Sequence, residues 1–354
     1  MTITSEEHVL VINPGDFNKK AYEAFRALPF VASLTVIPGV GYGGRSDPAR
    51  EVSAEEWART TVLMTGQALP PSPEAAPNLK LVQLFSAGSN QLQKLPFYGA
   101  SDKVVYATAS GTHGPAISEW VILMMLSFFH NSYLYTKWQA EARWGNDSEF
   151  PKPVIDQFGR TLGVFGYGAI GRQTARVAKA LGMKVVAHSF SSPPKKERVE
   201  VAVPGSGDPD GSIPEKWFAG AEQLDDFFSS GIDVLVVSAP FTPETTKIIN
   251  KKTLAKLKGA YIINIARGGL IDTDDLIEAA ESGLIAGAAL DVTDPEPLPD
   301  GHKLWTVKNI SIAPHISGHS VGYEDRVTNI AIHNIKQLRA GKPITNQVDK
   351  AKGY

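Results

Sequence analysis

Short apolar runs recur along the chain at 9–12, 34–37, 61–64, 81–85, 104–106, 161–165, 184–187, 234–237, 261–265, 286–290 and 310–312. Most lack the alternation of apolar and polar residues that a half-exposed strand shows. They read as strands buried on both faces, the habit of parallel sheets. Helical patterns separate many of them, as at 170–181 and 272–281. Strand–helix–strand alternation predicts an α/β protein. The stretch 118–143 reads as one long, mostly apolar helix, ended by Gly145 and the segment 150–153. The four early strands read as a sheet separate from the one that begins at Thr161. A final helical pattern, Val327, Ile330, Ala331, Asn334, Ile335 and Leu338, follows Gly322. The two long helices read as crossovers, which predicts a first domain split by the insertion of a second.

Composition narrows the field. The 354 residues suggest two domains at about 150 residues each. With 35 basic and 37 acidic residues the net charge is −2, which gives no reason to expect nucleic acid or an anionic membrane as partner. There is no cysteine, hence no disulfide, thiolate nucleophile or zinc–thiolate site, and no metal is expected. The amino terminus has two acids before a short apolar run and does not read as a signal peptide. The most apolar stretch, 120–129, is about half of the ~20 residues of a membrane span. These readings predict a cytoplasmic protein.

The segment Gly166-Tyr167-Gly168-Ala169-Ile170-Gly171 follows an apolar strand and opens a helix. In that context a GxGxxG pattern has a physical meaning. Gly166 permits a tight turn, Gly168 lets the backbone approach a pyrophosphate, and Gly171 allows close helix–sheet packing. The amides of Ala169 and Ile170 then face the phosphates at the helix amino terminus. The second strand of such a unit commonly ends in an acid that binds the ribose. Here Ser189, Ser191 and Ser192 are followed by Lys195, Lys196 and Arg198. Hydroxyls and cations attract a 2′-phosphate, so NADP(H) is expected to be preferred, with NAD(H) possible.

Three later strands are each followed by one ionisable group: Arg267, Glu296 and His315. Strand carboxyl ends of an open parallel sheet face the ligand crevice, so the three can converge there. The segments NIARG, DVTDPEP and APH, in this order after GxGxxG, resemble the signature motifs of the D-isomer-specific 2-hydroxyacid dehydrogenase family over essentially the whole chain. The resemblance implies a Rossmann-type cofactor domain, 107–321, inserted into a smaller flavodoxin-like α/β substrate domain, 1–106 plus 322–354. It implies an oxidoreductase that interconverts small 2-oxo acids and D-2-hydroxy acids, such as glyoxylate or hydroxypyruvate. His315 would be the acid/base, Glu296 its carboxylate partner, and Arg267 the fork for the substrate carboxylate or carbonyl. Cofactor contacts are implied for Ala239, Pro240 and Thr245 in the loop 238–245, for Ile265 and Ala266, for Asp291 near the nicotinamide amide, and for Gly318. Ala87 and Gly88 are the candidates for gripping the substrate carboxylate with backbone amides. A formate-dehydrogenase-like enzyme and a dinucleotide-sensing, corepressor-like binding protein share this fold. Glu296 argues against the first, whose pattern has glutamine there.

The chain departs from the family pattern in three places. Asn90 stands where an aspartate is common, and His113 occupies the loop before the long helix. The segment 191–220 carries five prolines, reads as a surface insertion, and could instead form a flap over the adenine end of the cofactor. Aromatic residues from Tyr133 to Trp144, including Trp138, read as an exposed dimerisation arm, so a homodimer is expected.

Overall fold

The computed structural model describes residues 6–13, 19–38, 51–93, 95–100, 102–190 and 201–350. Contacts divide the chain into two compact units: Met1–Thr112 with Val201–Pro204 and Ser320–Tyr354, and His113–Glu200 with Gly205–His319.

In the first unit, strands β1 (Glu7–Asn13), β2 (Val31–Pro38), β3 (Val62–Thr65), β4 (Leu81–Leu84) and β5 (Val105–Ala107) form one parallel sheet in the order β2-β1-β3-β4-β5. This is a flavodoxin-like strand order. The sheet has five strands, one more than the four grouped from the sequence: the apolar run at 104–106 joins it as β5, pairing with β4. Buried side chains cover both faces, which is why β3 and β4 show no alternation. The carboxyl-terminal helix Tyr323–Arg339 packs Val327, Ala331 and Ile335 into one of these cores. It is also pinned by polar contacts. Buried Asn334 donates to Gln83 Oε1 at 3.0 Å, and Gln83 donates to the carbonyls of Leu84, Ala107 and Thr108.

The second unit contains β6 (Thr161–Phe165), β7 (Lys184–Ser189), β8 (Lys216–Ala219), β9 (Val234–Val237), β10 (Tyr261–Asn264), β11 (Gly287–Leu290) and β12 (Ile310–Ile312). All pairs are parallel, in the order β12-β11-β10-β9-β6-β7-β8. The chain direction across the sheet reverses between β6 and β9, the switch point where ligands bind such folds. Strand β8, at the sheet edge, lies at the end of the proline-rich segment that the sequence pattern presents as an insertion.

The stretch predicted as one helix is two, Gly114–Phe129 and Tyr133–Ala140. Asn131 breaks it. It is fully buried in the left-handed region, at φ 53°, and its side chain donates to Lys152 O at 3.1 Å. Trp138 is half-buried, not exposed: its ring stacks on Phe150 and its indole N–H donates to Glu149. Tyr133, Tyr135 and Trp144 are exposed.

Candidate active site

The glycine-rich turn joins β6 to the helix Ala169–Ala180. Gly166 has φ +97°, and a Cβ there would lie 2.4 Å from Ala239 N, at the end of β9. Only glycine lets the two strand ends meet at the switch point. A Cβ on Gly171 would lie 2.4 Å from Gly166 O, which explains the close helix–strand approach. A Cβ on Gly168 would meet nothing within 4 Å. Gly168 thus borders open space at a helix amino terminus that no side chain caps. A pyrophosphate fits these features: room beside Gly168 and a positive helix end. No aspartate or glutamate lies at the end of β7 among the described residues, where half-buried Ser189 and exposed Phe190 stand. Lys195, Lys196 and Arg198 lie outside the described residues.

In the 238–245 loop, Ala239 and Thr245 are buried, and the Thr245 hydroxyl donates to Pro240 O at 2.9 Å. Ile265 and Ala266 are buried after β10. Next, Arg267 is exposed, and its Nη1 donates to Ala266 O at 2.6 Å. Its turn is held by Asn264, a fully buried residue at the end of β10 that the sequence reading assigned no role. Asn264 Oδ1 accepts from Ala266 N, and Nδ2 donates to Arg267 O, both at 3.0 Å. A polar residue closing an otherwise apolar strand was the available signal. The Arg267 turn also packs on the loop after β11: a Cβ on Gly268 would lie 2.0 Å from Thr293 O.

Glu296 and His315, on the loops after β11 and β12, meet directly. His315 Nδ1 is 2.6 Å from Glu296 Oε1, with both side chains partly exposed. His315 itself has φ 56°, unusual for a residue with a side chain. The loop around it over-determines that conformation. His315 N donates to Asp291 O at 2.9 Å. Asp291, 2% exposed, accepts from Ile316 N at 2.8 Å, Ser317 N at 3.0 Å and the Ser317 hydroxyl. Asp291 N in turn donates to Asn264 O at 3.0 Å. The three loops therefore form one hydrogen-bonded block on adjacent strands. The carboxylate of Asp291 is committed within this block to the His315 loop. Gly318 abuts the His113 ring, whose Cδ2 would be 2.8 Å from an added Cβ.

In the first unit, the loop after β4 is fixed by Ser86, whose hydroxyl donates to Gly88 O at 2.7 Å and accepts from Gln91 at the same distance. The Tyr323 hydroxyl donates to Phe85 O. The amides of Ala87 and Gly88 donate to no partner among the described residues.

A doubly wound parallel sheet, a glycine-rich turn at its switch point and a histidine–carboxylate pair on neighbouring strand ends are the features of a dinucleotide-dependent oxidoreductase. The chain belongs to the D-isomer specific 2-hydroxyacid dehydrogenase family: the sequence model of that family's NAD binding domain matches residues 122–317. A hydroxypyruvate reductase from Blautia hydrogenotrophica is 31% identical over 282 residues, 78% of this chain and 80% of the relative. Among solved structures, the D-isomer specific 2-hydroxyacid dehydrogenase from Xanthobacter autotrophicus Py2, in complex with NADPH and MES, aligns with TM-score 0.75 and 27% identity, covering 99% of this chain and 100% of that one. An NADPH-dependent glyoxylate/hydroxypyruvate reductase from Sinorhizobium meliloti, in complex with NADP and sulfate, aligns with TM-score 0.72 and 26% identity at the same coverage.

Proposed function

We propose that this protein reduces small 2-oxo acids of the glyoxylate and hydroxypyruvate type to D-2-hydroxy acids, using NADPH. The observation that carries the reading is the His315–Glu296 pair at 2.6 Å, set on the same sheet as the glycine-rich turn. When bound, the nicotinamide supplies the hydride that adds to the carbonyl carbon. The protein's part is position and proton. Glu296 holds Nδ1 of His315, so the opposite nitrogen, Nε2, is the one that gives a proton to the carbonyl oxygen. In the reverse direction the same nitrogen takes the hydroxyl proton. Arg267 receives the substrate carboxylate through its planar fork. The pairing of Arg267, Glu296 and His315 with these roles follows the family resemblance and the hydrogen-bonded block around them. For Ala87 and Gly88 the proposed role is also the substrate carboxylate, which their two adjacent amides suit.

The preference for NADPH is supported by the absence of an acid at the end of β7 among the described residues, and by the NADPH and NADP complexes of the two structural neighbours. We further infer a homodimer, because Leu123, Tyr133 and Tyr135 expose apolar surface around the Tyr133–Ala140 helix; a monomer in light scattering would contradict it. No described helix is long and apolar enough to cross a membrane, and a cytoplasmic location is proposed from the balanced charge and absent cysteine. Initial rates for a panel of 2-oxo acids with NADPH and with NADH test the main reading. Glyoxylate or hydroxypyruvate turnover favouring NADPH is expected. A clear NADH preference would overturn the cofactor assignment, and no turnover of any 2-oxo acid would overturn the activity.

A further inference from the structure

The segment between β7 and β8 is not a loose surface insertion where it is described. Asp208, flanked by Gly207 and Pro209, is only 3% exposed. Its Oδ2 accepts from the Tyr167 hydroxyl at 2.7 Å and from Ile213 N at 3.2 Å, and its Oδ1 accepts from Ser212 N at 3.1 Å. Its backbone carbonyl accepts from Arg172 Nη1. Further contacts seat the segment on the first turns of the Ala169–Ala180 helix. Gly207 N donates to Gln173 Oε1 at 2.7 Å, and Arg176 Nη1 donates to Gly205 O at 2.7 Å. The Tyr167 ring meets Trp217 edge-on at 4.7 Å, and the buried Arg172 guanidinium lies 5.3 Å from its centroid.

We propose that residues 205–217 brace the dinucleotide turn from behind, and that Asp208 is a positioning residue for the cofactor, acting through Tyr167. Tyr167 is the one residue with a side chain between Gly166 and Gly168. Two glycines leave that turn with more conformational freedom than any other residue type would. Locking Tyr167 at its far end restricts the backbone that must face the pyrophosphate. Its ring sits in the core with Val164 and Ala175, and its hydroxyl donates to a carboxylate, a stronger bond than one between neutral groups. Amides already held in the binding conformation lose less entropy when the ligand arrives. The contact lies in the same unit as the turn and leaves the open space beside Gly168 untouched. A flap would cover the cofactor; these contacts instead hold the protein against itself.

The proposal rests on the reading of this site as one for NADPH. Fluorescence titration of the full-length protein with NADPH tests it, for the wild type, Tyr167→Phe, Asp208→Ala and the double variant. Tyr167→Phe removes one oxygen and keeps the ring packing, so it carries the test even if Asp208→Ala does not fold. Each single variant is expected to raise the NADPH Kd about tenfold, the factor that about 1.4 kcal/mol of lost preorganisation represents. The double variant is expected to be no weaker than the worse single one, because both changes break the same contact. The loss should fall on the KM for NADPH and not on kcat. Wild-type protein that binds NADPH, with Tyr167→Phe within twofold of it, overturns the brace alone. Wild-type protein that binds no NADPH overturns the cofactor assignment and the brace together.

Discussion

The carboxylate of Asp291 and the backbone of Ser317 are joined at 3.0 Å, so a buried acid at the end of β11 shapes the loop that presents His315. His315, the proposed acid/base group, is thus set by its own strand end and by that of a neighbouring strand. Asn264, one strand further along, fixes the Arg267 turn and accepts from Asp291 N. The geometry of the proposed site belongs to a block of three loops more than to any one side chain.

Asp291→Ala should therefore lower both stability and kcat. It leaves the Ile316 and Ser317 amides and the Ser317 hydroxyl without their acceptor. Buried donors left unpaired cost about 1–3 kcal/mol each, so a loss of about 3 kcal/mol in urea unfolding is expected. An unchanged unfolding midpoint would show that the loop holds itself.

Glu296→Gln keeps the size of the side chain but removes the charged partner of His315. The predicted result is a kcat lowered by about 10²-fold through a misplaced imidazole, with little change in NADPH affinity. Stopped-flow single turnover separates this from a change in product release. A wild-type rate constant in that assay would make the 2.6 Å contact catalytically irrelevant.

The two later glycines of the turn should behave oppositely. Gly171→Ala forces a Cβ to within 2.4 Å of Gly166 O and should destabilise the fold by about 1–3 kcal/mol. Gly168→Ala meets nothing within 4 Å and should leave stability within about 0.5 kcal/mol. It should nevertheless weaken NADPH binding at least several-fold, because the methyl group fills the space assigned to the pyrophosphate. Thermal melting beside NADPH titration reads both effects. Tight binding by Gly168→Ala would move the pyrophosphate elsewhere.

His188 gives a pH prediction. Burial pushes its pKa below the usual histidine value, although its hydrogen bond to Gly220 O opposes the shift. Nδ1 is buried and has no hydrogen-bond partner among the described residues, so a proton added there is not compensated. The unfolded chain binds that proton near pH 6.5 and the folded one only at lower pH. Stability should hence rise with pH through the acid range up to about 6.5, by at most about 1.4 kcal/mol per pH unit from this group, and then level off. His188→Gln should flatten that slope in denaturant titrations between about pH 5 and 7. An equal slope in the variant would place the acid sensitivity at other groups.

Much of this was legible in sequence because it is local. Apolar runs located eleven of the twelve strands, and the glycine spacing located the turn, since tight backbone approach demands glycine at fixed offsets. The pairing of Glu296 with His315 followed from motifs whose order matched a family. What was hidden depends on partners far along the chain. Asp208 reaches Tyr167 across 41 residues, and nothing in a proline- and glycine-rich stretch signals that an aspartate within it is buried. The break at Asn131 was missed because a left-handed residue inside an apolar run leaves the hydrophobic pattern unchanged. Strand β8 was missed because it closes a proline- and glycine-rich stretch, 191–220, that reads as a surface insertion.

His315 and Arg267 are proposed to act on a 2-oxo acid beside bound NADPH. The decisive measurement is the initial rate of NADPH oxidation with hydroxypyruvate for the wild type, His315→Ala and Arg267→Ala, each with its NADPH Kd determined in parallel. Expected are robust wild-type oxidation, a loss on the order of 10²–10⁴-fold for His315→Ala, a large loss for Arg267→Ala concentrated in kcat/KM for the acid, and NADPH Kd values within about twofold of wild type. Wild-type rates in either variant, or NADPH bound by the wild type with no oxidation by any 2-oxo acid, would contradict these roles.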